Sequence, residues 1–170
     1  DPSSKVGQMN IYAQKNGRTP TGLTPVVTSA HTTRDIDVAV EFHRKVLQNE
    51  VLIDEVLSSE EQNEFLQLPR HAKTAVKFMQ GNHMFGKIAL SQPLNYDCHD
   101  MVSDGIAPNI GYIAQAFEVN DLGCSEKAIA DLRCEVYNQR CMVDFPGLGR
   151  IEMIMVKAPG SGALQLIFKV

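Results

Sequence analysis

The side chains able to do chemistry in this chain are few and scattered. The histidines are His31, His43, His71, His83 and His99. A neutral imidazole is a common metal ligand and an acid or base near neutrality. Here the five fall on a strand, a helix and a set of loops or strand ends, which is the distribution of ordinary surface residues rather than of a ligand set. Asp97, His99 and Asp100 have metal-like residue types, but their spacing fits no face of a helix or strand. The cysteines Cys98, Cys124, Cys134 and Cys141 are unevenly spaced and contain no C-x-x-C pair, so they read as reduced thiols rather than disulfides or a structural zinc site.

Composition narrows the function classes further. The formal charge is −4 and the pI about 5.7, with no basic cluster, which argues against a partner made of nucleic-acid phosphate or anionic membrane. No apolar run approaches the roughly 20 residues needed to cross a bilayer. A cytoplasmic location is the expectation. With 170 residues, 44% of them apolar, the chain can bury one good core or two small ones sharing an interface.

The elements that must position any site repeat once along the chain. Residues 25–32 are small and β-branched and read as a strand. Asp35 then caps a helix whose apolar stripe is Val38, Ala39, Phe42, Val46 and Leu47. Strands follow over 50–57, 72–80 and from Phe85 to Leu90, ending at Pro93, with Ser58 and Glu61 reading as the capping box of a short helix between the first two. The second half repeats the order. A strand over 109–119 leads to a helix from about Gly123 to Val136 capped by Asp121, then to strands over 141–145, 150–156 and 163–170, separated by Pro-Gly turns.

A third echo opens the chain. Residues 1–12, a Pro-small-small turn leading to Gln8 and alternating apolar residues, match the pattern of residues 158–168, which end a unit. They are expected to be the last strand of a preceding domain, with 13–24 as linker, or else an N-terminal arm adding an edge strand. Asp1 in place of an initiator methionine fits a processed chain or a piece of a longer one.

The stretch from Pro25 to Val170 resembles the vicinal oxygen chelate superfamily, which groups glyoxalases, bleomycin-resistance proteins and extradiol dioxygenases. The resemblance is carried by Asp35-Ile36 with Ala39, Phe42, Val46 and Leu47, by Gly86-Lys87-Ile88-Ala89-Leu90 before Pro93, by Ile113 to Val119 with Asp121-Leu122, and by Pro159-Gly160-Ser161-Gly162 before Leu164-Gln165-Leu166. It implies an α+β fold of two βαβββ modules, over 25–95 and 109–170, whose curved mixed sheets surround a cavity. It also implies a divalent metal held by the first and last strands of each module, chelating neighbouring substrate oxygens as a Lewis acid.

Carried over residue by residue, the ligand positions of that family fall on Thr28 and Ala89 in the first module and on Ala114 and Gln165 in the second. Such a set does not hold a divalent metal, so no metal and no other cofactor is expected. Counting by strand parity from these positions, Thr28, Ala30, Thr32, Lys87, Ala89, Ser91, Ala114, Ala116, Glu118, Gln165 and Ile167 should line the cavity. Lys87 and Glu118 are its charged members: Glu118 has the chemistry of a general base, or equally of a rim carboxylate in water or paired with Lys87.

Three readings follow. The first is a metal-free binding module that encloses an organic small molecule. The second is a non-catalytic or partner-completed domain of a metal-dependent lyase, isomerase or ring-cleaving dioxygenase, with the chemistry in a missing N-terminal domain. The third is an interaction protein whose paired sheets serve a homodimer. No catalytic residue is assigned, and the question of enzyme or binder stays open at this point.

Overall fold

A computed structural model describes residues 28–83, 86–105 and 114–170. Residues 1–12 and 13–24, expected to be a preceding domain's last strand and a linker, and the parts of the expected strands before Thr28 and over 109–113, lie outside the described residues. Among the described residues, the chain forms β1 (Thr28–Thr32), α1 (Ile36–Leu47), β2 (Glu50–Leu57), α2 (Glu60–Phe65), β3 (Thr74–Gln80), β4 (Lys87–Pro93), β5 (Ala114–Glu118), α3 (Leu122–Asp131), β6 (Glu135–Phe145), β7 (Gly149–Lys157) and β8 (Leu164–Lys169). The strands make two four-stranded mixed sheets of the same order, β1-β4-β3-β2 and β5-β8-β7-β6. In each, the opening strand runs parallel to the closing strand while the hairpin neighbours are antiparallel. No described helix is long and apolar enough to cross a membrane.

Equivalent local chemistry starts the main helix of each unit. The Asp35 carboxylate accepts from the amides of Asp37 at 3.1 Å and Val38 at 3.0 Å. Asp121 does the same for Gly123 at 2.8 Å and Cys124 at 3.1 Å. Each bond satisfies an amide that has no partner within the helix. Helix α1 ends at Gln48, which takes a left-handed φ of 55° and returns its amide to the His43 carbonyl.

Three local expectations need correction. The capping box of α2 is built by Ser59 and Gln62, not Ser58 and Glu61: Ser59 Oγ accepts from the Gln62 amide, and Gln62 Oε1 accepts from the Ser59 amide. Two overlapping pairs, Ser58 with Glu61 and Ser59 with Gln62, fit the motif, and only the backbone path selects between them. Helix α3 stops at Asp131 rather than Val136, because Arg133 adopts φ 53° and the chain enters β6 at Glu135. In α1, Val38 is 38% exposed, while Val40 and His43 join the buried stripe.

The helices of both units pack on each other and on the sheets. One core cluster joins Phe42, Val46 and Leu47 of α1 to Leu122 and Ile129 of α3 and to Ile154, Val156 and Ile167 of the second sheet. A second joins Ile36, Ala39 and Val40 to Met79, Ile88 and Leu90 of the first sheet. Phe117 of β5 touches both. Ser125 Oγ, buried on α3, donates to the Val46 carbonyl at 2.7 Å, and the Arg34 amide donates to the Gly160 carbonyl at 2.9 Å. The two units therefore share one interior across a common helix layer.

Candidate functional site

Core membership fixes which way each strand's side chains point. Ile88 and Leu90 pack under α1, so Lys87, Ala89 and Ser91 lie on the far face of the first sheet, away from the helices. In β1 the partners in register are Thr28 with Lys87, Ala30 with Ala89 and Thr32 with Ser91. In β5, Phe117 packs under the helices, which puts Ala114, Ala116 and Glu118 on the far face, in register with Leu164, Leu166 and Phe168. Ala30, Thr32, Ala114, Ala116 and Glu118 are exposed, Thr28 is half-buried, and Lys87 and Ala89 are buried at 1% and 6% exposure.

Gln165 and Ile167, expected with this set, lie on the opposite face. Ile167 packs with Phe42 and Val156 under the helices, and Gln165 shares its parity and its register partner Val156. The physical reason is that β8 is covered on both sides: Gln165 and Ile167 are buried toward the helices while Phe168 is buried on the far face with Ile151 and Met153. A strand buried on both faces carries no alternation from which its orientation can be read.

This changes the comparison of the two units. Thr28 and Ala114 stand at the same distance before their capping Asp, so the parallel registers make Lys87 equivalent to Leu164, Ile88 to Gln165 and Ala89 to Leu166. The four positions of the expected ligand set become Thr28, Ala89, Ala114 and Leu166. That set offers one hydroxyl, no imidazole and no carboxylate, and it does not fit a divalent metal.

The electrostatics of the far face are sparse. Lys87 has its pKa lowered by burial, which disfavours its charged form. It stands beside Thr28 on the first sheet, whereas Glu118 stands beside Phe168 on the second. Asp100 is committed elsewhere: its carboxylate accepts from the Val102 amide at 3.0 Å and pairs with Arg34, while Asp97 and His99 are exposed. Among the described residues, no group of three or more His, Cys, Asp and Glu could hold a metal ion. All four cysteines are free. A shallow depression of about 250 Å³ between the end of α1 and the β3–β4 turn, lined by Gln48, Glu50 and Asn82 among others, contains none of the expected site residues.

A polar cluster that sequence reasoning missed lies on the helix face, where the two units meet. His31 of β1 has its ring 6.4 Å from that of His43 on α1, and His43 meets Phe117 of β5 edge-on at 5.9 Å. Gln115 Nε2 donates to Ser29 Oγ at 2.8 Å, tying β5 to β1. His43 is 1% exposed, with Asn49 Nδ2 at 3.3 Å from its Nδ1, and burial followed by the neighbouring His31 pushes its pKa down to about 3. Burial also lowers the pKa of His31. A usable signal was present: His43 follows Ala39 by one helical turn and so falls on the apolar stripe.

Known proteins place the architecture. No family model matches the chain, and no curated protein matches it in sequence. Among solved structures, a glyoxalase family protein from Bacillus cereus superposes with a TM-score of 0.73 at 14% identity, over 90% of this chain and 98% of that one. A glyoxalase family protein from Enterococcus faecalis gives 0.55 at 13% identity, over 85% and 96%. A fosfomycin resistance protein from Mesorhizobium loti gives 0.51 at 11% identity, over 85% and 90%. With its two like-ordered sheets and shared helix layer, the chain has the glyoxalase/bleomycin-resistance-like fold.

Proposed function

We propose that this chain is a binding module that takes up an organic small molecule against the far faces of its sheets without a divalent metal. The observation that carries the reading is the chemistry of the four equivalent positions Thr28, Ala89, Ala114 and Leu166, whose side chains cannot supply the nitrogen and carboxylate ligands that metal chelation of substrate oxygens requires. The surroundings support binding instead. Exposed small residues Ala30, Ala114 and Ala116 leave room, Leu166, Met155 and Phe168 offer apolar surface, and Thr28, Thr32 and Glu118 supply a few polar groups to orient a ligand. A fosfomycin resistance protein shares the fold, which makes an antibiotic-like organic molecule one class to screen.

The test pairs metal analysis with ligand titration on the purified chain. Anilinonaphthalene sulfonate is expected to bind saturably, with and without EDTA, and metal content is expected to be far below stoichiometric. Ala116→Trp, at an exposed position, is expected to weaken dye binding by roughly tenfold or more, about 1.4 kcal/mol or above. Near-stoichiometric iron, manganese, nickel or zinc would overturn the metal-free reading. Dye binding untouched by Ala116→Trp would remove the far face as the site.

A further inference from the structure

We propose that the seam between the two units contains a built hydration site, in which Gln165 and Gln115 hold ordered water beneath the helix layer. Gln165 is fully buried at 0% exposure, and both its amide nitrogen and its amide oxygen have no hydrogen-bond partner. The carboxamide oxygen of Gln115 is buried without a partner as well. The two residues are register partners on the adjacent parallel strands β5 and β8, so their side chains leave the same face side by side. Both are on the helix face, which separates this site from the far-face reading above.

The chemistry selects the ligand. Three unpartnered groups, two acceptor oxygens and one NH₂ donor, belong to this one register pair, and a buried polar group left unpaired costs on the order of 1–3 kcal/mol. Water both donates and accepts, and buried waters make about three hydrogen bonds to groups of this kind. An anion would leave the two oxygens facing like charge, and a cation would leave the NH₂ group unpaired. A direct amide-to-amide bond competes poorly. Gln115 is held by its own Nε2 donating to Ser29 Oγ at 2.8 Å, on the side of β5 toward β1 and away from β8. Even if Gln165 donated to the Gln115 oxygen, its own oxygen would still lack a partner.

The pseudo-symmetry of the fold shows that the polar groups are a local feature rather than a need of the topology. The equivalent of Gln165 in the first unit is Ile88, 4% exposed and packed among Ile36, Ala39 and Leu90. An aliphatic side chain therefore serves this strand position when no water is to be held.

A high-resolution crystal structure of the whole chain tests the site directly. The expected result is ordered water within hydrogen-bond distance of the Gln165 side chain and of Gln115 Oε1. A Gln165 amide paired on both atoms to protein groups, with no water, would overturn the proposal. In solution, oxygen-17 relaxation dispersion is expected to show slowly exchanging water in the native chain, with that contribution reduced in Gln165→Met, which keeps the shape and removes the polar atoms. An unchanged dispersion in a folded Gln165→Met also overturns it. If that variant does not fold, the crystal structure of the native chain decides alone.

Discussion

The two units obey one topology and fill it with different chemistry. Both run from an opening strand through an Asp-capped helix to three further strands, and both pair the first strand parallel to the last. Yet the far face of the first sheet buries Lys87, Thr74 and Val76, while that of the second buries Ile151, Met153 and Phe168. On the helix face the asymmetry reverses, with Ile88 in the first unit opposite in character to Gln165 in the second. Strand order and register are set by backbone hydrogen bonding and helix packing, which tolerate many side chains. The face chemistry is free to diverge, and it is the face chemistry that decides what can bind.

The largest effect is expected where the units stop being separable. Phe42 belongs to the helix of the first unit but packs with Ile154, Val156 and Ile167 of the second, and it is 0% exposed. Phe42→Ala is expected to lower stability by about 3–5 kcal/mol. Because the cluster spans both units, urea unfolding should remain one cooperative transition. Two separated transitions would show that the units fold independently.

Next comes the seam. His43 titrates near 6.5 in the unfolded chain, whereas burial and the neighbouring His31 hold it to about 3 when folded. Above pH 6.5 it is neutral in both states and contributes no pH dependence. As the pH falls below that value the unfolded chain takes up a proton the folded chain refuses, so stability declines until about pH 3 is reached. The burial-lowered pKa of His31 acts in the same direction. Stability measured by urea titration at successive pH values is expected to drop by a few kcal/mol from this source. His43→Leu should flatten the decline, and an unchanged slope in that variant would assign the acid sensitivity to other groups.

A smaller contrast lies in the Pro-Gly turn between β7 and β8. Gly160 and Gly162 both have positive φ, at 83° and 77°. A Cβ on Gly160 would come 2.6 Å from the Asp35 carbonyl oxygen, at the start of the other unit's helix. One on Gly162 would meet only Val102 Cγ1, at 3.5 Å. Gly162→Ala is expected to cost about 1 kcal/mol for its backbone conformation alone, and Gly160→Ala about 1–3 kcal/mol more through the clash. Equal melting temperatures for the two variants would mean that this turn does not pack on the first unit.

The smallest comparison is between the two caps. Asp35→Ala and Asp121→Ala should each cost about 1 kcal/mol, since each carboxylate accepts from two helix-start amides. Thermal melts of the two variants that differ by more than about 2 kcal/mol, beyond the usual range of a single cap, would break the equivalence of the units at this position.

Much of the fold was legible because its signals are local. The caps Asp35 and Asp121, the amphipathic stripe of α1, strand β2 from Glu50 to Leu57 and the Gly-rich turns each follow from residues near one another in the chain. The less local the determinant, the worse the reading became. The end of α3 depended on the left-handed conformation of Arg133, and the capping box of α2 on a choice between neighbouring serines. On β1, β4 and β5 alternation assigns Thr28, Ala30, Lys87, Ala89, Ala114 and Glu118 the sheet faces they take, whereas on β8, where burial on both sides erases the alternation, the face of Gln165 was misread.

The sequence by itself determined the repeated element order and the starts of the two Asp-capped helices, because capping and turn chemistry act over a few bonds. Tertiary structure alone decided that Gln165 turns under the helices, that Leu166 takes the place equivalent to Ala89, and that His31, His43, Gln115 and Ser29 come together at the seam. Those outcomes depend on which surfaces cover each strand. Coverage is a property of the assembled layers, and no short window of residues encodes it.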